Sequence, residues 1–223
     1  MRVLIFGASG RTGQLATTEA LARGHTVIVL VRKASSMTPA EGLTIIEGSP
    51  LNQPDVERAF TEIPKGAPEA ILVTLAAPRA TDSPFAKPIA PPFFMRDSVR
   101  NVTAVMKQHG VKRIVIMSAF GAGDSSAQLA WPLRLLFRQS NMSFQYEDHD
   151  ALDADVRVSG DLEWTLVRPV MLKEGEARSV RELGEVGEGA GMFDSVTRAS
   201  VAEFLVKAVE EGRLAKKAVV IAN

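Results

Sequence analysis

The stretch Val3-Leu4-Ile5-Phe6-Gly7-Ala8-Ser9-Gly10-Arg11-Thr12-Gly13 constrains the fold more than any other part of this chain. A short apolar run meets a Gly-x-x-Gly-x-x-Gly spacing, which opens a helical stretch. Each glycine has a mechanical reason. Gly7 permits a tight strand-to-helix turn, Gly10 lets the backbone approach a diphosphate, and Gly13 allows close packing of helix on strand. A diphosphate there would rest on main-chain N–H groups and on the positive end of the helix dipole, with Ser9, Arg11 and Thr12 beside it. Isolated glycines can form a turn that binds nothing. Here strand, spacing and helix agree, and the pattern reads as dinucleotide binding.

The rest of the chain fits an α/β fold with a doubly wound, Rossmann-like parallel sheet in a single domain over 1–223. Strands are expected at Val3–Phe6, Thr26–Val31, Leu43–Ile46, Ala70–Leu75, Arg113–Met117, Trp164–Val167 and Ala218–Ile221, with helical stretches between them. The runs are nearly all apolar instead of alternating, as strands covered on both faces must be. Helices are expected before Gly24, from Pro54 to Ile63, from Phe93 to His109, from His149 to Gly160, and from a capping box at Ser200-Val201-Ala202-Glu203. The five prolines of 78–92 exclude helix and central strand there, so that segment should be an ordered loop or a lid, with Phe85, Phe93 and Phe94 walling an apolar pocket or packing in the core. The Gly- and Glu-rich segment 173–191 should cover the ligand edge of the sheet, with about 170–200 forming the substrate side.

Composition removes several classes of function. Lys plus Arg (26) equals Asp plus Glu (26), so no positive field favours nucleic acid or anionic lipid. Zero cysteines exclude disulfides and thiolate metal sites. The first apolar run is too short for a signal peptide or a membrane span, so a cytoplasmic protein with a small-molecule substrate and no membrane partner is expected. The acids Glu147, Asp148, Asp150 and Asp153 around His149 already suit a first helical turn, so no metal is expected.

The end of the second strand selects the dinucleotide. An NAD site usually presents an acid there to the ribose hydroxyls, whereas this chain has Val31-Arg32-Lys33. Arg32 can grip a 2′-phosphate with its guanidinium fork, Lys33 adds charge, and Ser35 and Ser36 can donate. The alternative is a solvated pair of turn charges. NADP(H) is the expected cofactor.

Together the glycine motif, Val31-Arg32, the strand Ile114 to Ser118 and Trp164-Thr165-Leu166-Val167-Arg168-Pro169 resemble the atypical short-chain dehydrogenase/reductase family. The likeness is to its NAD(P)H-binding, NmrA-like branch, which includes small reductases of the biliverdin-IXβ/flavin reductase type and fungal NAD(P)-binding proteins. It runs from Arg2 to Asn223. The resemblance implies that Gly7, Gly10, Arg11, Thr12 and Gly13 serve the diphosphate and Arg32 the 2′-phosphate. It further implies that Leu75 and Ala76 lie against the adenosine ribose or the nicotinamide half, and that Ser118, Pro169 and Val170 frame the nicotinamide. Such proteins often have Gly-Asp after the third strand, where this chain has Gly48-Ser49. Ser49 could still accept a hydrogen bond from adenine.

Typical members use Tyr-x-x-x-Lys, in which the lysine lowers the phenol pKa. Here the single tyrosine, Tyr146, has Asp150 four residues on, whose charge acts in the opposite direction. The expected assisting residues are Ser118, alternatively a strand-end hydrogen-bonding group, and His149, alternatively a residue that caps or packs a helix start. An NADPH-dependent oxidoreductase acting on a flavin-, quinone- or enone-type acceptor is the leading expectation. The rival is a non-catalytic NADP(H) sensor of the NmrA-like kind, and a weaker third is an isomerase or lyase.

Overall fold

The computed structural model describes residues 1–63, 66–81 and 83–223. The segment 78–92 is therefore described except for residue 82. In chain order the first half comprises β1 (Arg2–Phe6), α1 (Arg11–Ala22), β2 (Thr26–Val31), β3 (Leu43–Glu47), α2 (Gln53–Thr61), β4 (Ala70–Val73), α3 (Phe94–Gln108) and β5 (Arg113–Met117). The second comprises α4 (Trp131–Gln139), α5 (Met142–Arg157), β6 (Glu163–Pro169), β7 (Met171–Lys173), β8 (Arg181–Glu182), β9 (Ser195–Thr197), α6 (Arg198–Glu211) and β10 (Lys217–Ala222).

The main sheet has the order β3-β2-β1-β4-β5-β6-β10-β8, parallel throughout except for β8, which runs antiparallel to β10 at one edge. A separate parallel pair joins β7 to β9. The expected Rossmann-like α/β sheet is present. Its strands are continuously apolar because each face has its own core. Val3 and Ile5 of β1 pack with α1 and α6, while Leu4 and Phe6 face the cluster of α2, α3 and α5. From β1 the chain winds one way to β2 and β3, and from β4 the other way to β5 and β6. The crevice between β1 and β4 is thus the switch point where ligands gather in such sheets.

Several boundaries differ from expectation. β4 stops at Val73, so Leu75 lies in the loop over the crevice rather than in the strand. The core stripe of α1 is Ala16, Thr17 and Ala20, whereas Leu15 is exposed. α6 is capped by Thr197, whose hydroxyl accepts from Ser200 N, so Ser200 is a buried residue of the first turn and not a cap. α5 starts seven residues before His149, at Met142, and α4 precedes it. α4 is an element beyond those expected; none of its residues is fully buried, and its apolar side borders a cavity instead of the core. Among the described residues no helix is long and apolar enough to cross a membrane.

Candidate functional site

The turn after β1 is built to a tolerance that only glycine meets. Gly7 has φ +86°, and a Cβ on it would lie 2.6 Å from the Thr74 carbonyl carbon at the end of β4. A Cβ on Gly13 would lie 2.1 Å from Gly7 O, so the first turn of α1 rests directly on the strand-end backbone. Gly10 occupies the cap position of α1, its N–H donating to Gly7 O at 3.0 Å and no side chain closing the helix end. The amide end of α1 therefore faces the crevice.

A groove of about 410 Å³ runs over this turn. Gly7, Ser9, Gly10, Arg11 and Thr12 line its floor, Val31 and Arg32 one end, and Leu75 and Ala76 a wall, joined by Arg79, Gln145 and Arg198. Gly13 lies beneath the floor, and Lys33 borders an adjoining hollow with Ser9, Arg32 and Ser36. Ser49 is not part of the lining. Its N–H donates to Asp55 at 2.9 Å and its hydroxyl accepts from Leu51 N, while Pro50 takes the place at the groove. Glu47, the acid near the end of β2, is committed to Ala34 N at 2.8 Å. The exposed Arg32 guanidinium has no carboxylate partner among the described residues. A floor closed to any side chain at Gly7 and Gly13 and an amide-bearing helix end suit a dinucleotide.

A second cavity of about 690 Å³ adjoins the groove and shares Arg11, Arg79, Leu172 and Arg198 with it. Ser118, Pro169 and Val170 line it at the ends of β5 and β6, Leu133 and Phe137 come from α4, and Ala190 to Asp194 close it opposite. This differs from the expected aromatic wall. Phe85 is exposed and Phe93 lies under the Arg96 guanidinium, 4.1 Å from ring to carbon, neither of them lining the chamber or the groove, while Phe94 borders the groove and packs against the core, as the alternative had it. Sequence reasoning also missed Arg79, Arg198 and Gln145. Arg198 was not singled out, and only the fold brings it to Thr12.

Ser118 and His149 do come together. Ser118 Oγ is 3.3 Å from His149 Nδ1, with Ser118 on the cavity and His149 behind it. His149 sits in the middle of α5, so the expectation of a helix start is corrected. Burial holds its imidazole down to about 4, with the Arg168 charge adding to this against the pull of Asp150 and Asp153. The neighbouring acids, too, are not first-turn residues; Glu147 is exposed, and the other three have structural partners instead. Asp148 accepts from Met95 N and Arg96 N, both at 2.9 Å, and Asp150 from Gly123 N at 2.6 Å. Asp153 pairs with Arg157 and with the fully buried Arg168, which also pairs with Asp124. Tyr146 lines the cavity, but its hydroxyl donates to Phe120 O at 3.0 Å, and burial, then Asp150, push the phenol well above its usual range.

The sequence profile of a family described as NAD(P)H-binding matches residues 7–212. ChuY, an anaerobillin reductase from Escherichia coli O157:H7, superposes with a TM-score of 0.77 at 19% identity, covering 100% of this chain and 97% of that one. A short-chain dehydrogenase/reductase from Veillonella parvula DSM 2008, solved in complex with NADP, gives 0.76 at 19% identity over 100% and 94%. Both likenesses concern the fold. The Photosystem II assembly factor Ycf39 of Synechocystis sp. is 25% identical over 219 residues, 97% of this chain, which spans 61% of that relative's length. Since the family match begins at the glycine turn on which the groove is built and continues through α6, this chain belongs to the NAD(P)H-binding family.

Proposed function

We propose that this protein is an NADPH-dependent oxidoreductase that passes hydride to a small aromatic or conjugated acceptor. The observation that carries this reading is the continuity of the two cavities, the glycine-floored groove and the apolar chamber that shares four walls with it. In this reading Gly7, Ser9, Gly10, Arg11 and Thr12 hold the diphosphate, and Arg32, with Lys33 and Ser36, holds the 2′-phosphate. Leu75 and Ala76 flank the sugar, and Ser118, Pro169 and Val170 border the nicotinamide. The bound coenzyme supplies the hydride. The likeness in fold to an anaerobillin reductase and to a short-chain dehydrogenase/reductase in complex with NADP supports the same class.

The chain's own contribution is orientation. At neutral pH the His149 imidazole is uncharged, so it carries no readily released proton. Its Nδ1 instead fixes the rotor of the Ser118 hydroxyl, whose remaining hydrogen-bonding capacity is then available to a polar atom in the chamber. Tyr146 keeps its proton on Phe120 O. Such a site suits acceptors that stack in place and draw their proton from water, as flavins, quinones and enones do. The apolar lining from Leu133, Phe137 and Phe193 keeps bulk water away from the stacked face.

The test mixes the protein with NADPH and a panel of such acceptors and follows the absorbance of the reduced nicotinamide. Turnover that falls in Ser118→Ala and His149→Ala is expected. Tight NADPH binding without turnover on any acceptor would instead support a non-catalytic NADP(H) sensor. The tied hydroxyl of the single tyrosine, and the likeness to an assembly factor, are the observations that favour that second reading.

A further inference from the structure

The β7–β9 ladder pairs Lys173 with Thr197, so Glu174 and Arg198 leave it side by side. Arg198 Nε donates to Glu174 Oε1 at 2.9 Å, and the same carboxylate oxygen lies 3.6 Å from Arg11 Nη1. Arg198 Nη1 donates to Thr12 Oγ1 at 3.1 Å. One carboxylate thus faces two guanidinium groups, one on the first turn of α1 and one reaching it from α6, and both line the groove and the chamber. The two partners of the closer pair are unequal. The Arg198 side chain is only 14% exposed, while that of Glu174 is 66% exposed. An ion pair with so exposed a carboxylate is weak, whereas an arginine–phosphate contact is among the stronger charge-assisted hydrogen bonds.

We propose that Arg198 is an anion-binding residue of the groove, and that Glu174 occupies its guanidinium in the free protein until a dinucleotide diphosphate displaces it. The inference rests on the dinucleotide reading above. Release would be local. Gly175, at φ +140°, follows Glu174, and the chain is pinned again just beyond, where Glu176 O accepts from Thr197 Oγ1 at 3.0 Å and Arg178 N donates to Ser200 Oγ at 2.8 Å. Glu174 also lines the chamber, so loading the groove alters the charge at the rim through which an acceptor enters. Coenzyme and acceptor sites are thereby coupled through one carboxylate.

The experiment is a calorimetric or fluorescence titration of NADPH and NADH into the wild type, Glu174→Gln, Arg198→Lys and Arg198→Leu at low and high salt. Glu174→Gln is expected to bind both dinucleotides about threefold tighter at low salt, with the gain shrinking as salt screens the pair. Arg198→Leu is expected to bind both about tenfold more weakly, with Arg198→Lys between them, because the lost contact is to the diphosphate and not to the 2′-phosphate. Unchanged or weaker binding by Glu174→Gln overturns the proposal, and this variant decides alone if Arg198→Leu does not fold, since its site is exposed. A wild type that binds neither dinucleotide would overturn the dinucleotide reading itself. A wild type that binds while the variants match it would overturn only the role of Arg198 and Glu174.

Discussion

The groove and the chamber meet at Arg11, Arg79, Leu172 and Arg198, yet they are made from different materials. The groove floor is backbone, with Gly7 against Thr74 and Gly13 against Gly7, all fixed by residues within one strand-turn-helix and the strand next to it. The chamber is walled by side chains from β5, β6, α4 and the segment 190–194, brought together over long stretches of sequence. A backbone floor tolerates almost no change in shape but many changes in the chain around it. A side-chain wall can be re-cut one residue at a time without disturbing the sheet. Under the function proposed above, a fixed coenzyme site beside an adjustable acceptor site is the counterpart of that contrast.

The contrast breaks most readily at Gly13. Gly13→Val should cost about 3 kcal/mol or more, or prevent folding, because its Cβ would meet main chain and not a movable side chain. Urea unfolding with a wild-type midpoint would show that the floor is softer than its geometry. The chamber side of the contrast is sharpened by pH, through the histidine behind Ser118. His149 titrates near 4 when folded and near 6.5 when unfolded, so the unfolded chain takes up the proton first. Its contribution is present above about 6.5 and lost as pH falls toward 4, amounting to at most about 3 kcal/mol. Unfolding measured near neutrality and near pH 4.5 should therefore show a smaller acid loss in His149→Gln than in the wild type, and equal losses would remove the effect. Next in size is Arg32→Ala, expected to weaken NADPH about tenfold, or 1.4 kcal/mol, with NADH unchanged. A parallel loss for both coenzymes would reassign Arg32. The smallest effect on stability belongs to the chamber rim. Phe193 is 78% exposed, so Phe193→Ala should shift stability by less than about 0.5 kcal/mol while raising the acceptor KM several-fold. A large loss of stability there would mean that the rim is part of the core.

The groove was legible in the sequence because its information is local. The glycine spacing, the apolar strand before it and Arg32 at the end of β2 all stand in short segments whose geometry follows from sterics alone. Ser49 was less legible, because a serine side chain gives no sign of whether it turns to a ligand or to a nearby amide, and here it lies outside the groove lining and accepts from Leu51 N in the local turn. The start of α5 was misjudged because Asp148 and Asp150 look like acids of a first turn, while their carboxylates in fact cap α3 and a loop from mid-helix. Of the chamber, the sequence offered Ser118, Pro169 and Val170 at the strand ends and the glycine-rich segment, while its apolar lining from α4 and Phe193 was not foreseen. Arg198 had no local signal, since its meaning comes from Thr12, 186 residues away.

The antiparallel strand at the sheet's outer edge has a consequence for self-association. β8 is two residues long, both exposed and of opposite charge, with Glu182 bound to Arg213 and Arg181 reaching Asp194. A border this short and this charged offers an approaching strand almost no run of amides to continue. Adding a ninth strand on that side is therefore disfavoured, and edge-to-edge stacking of copies, the first step toward fibrous aggregates, is blunted where the polypeptide's own pairing stops.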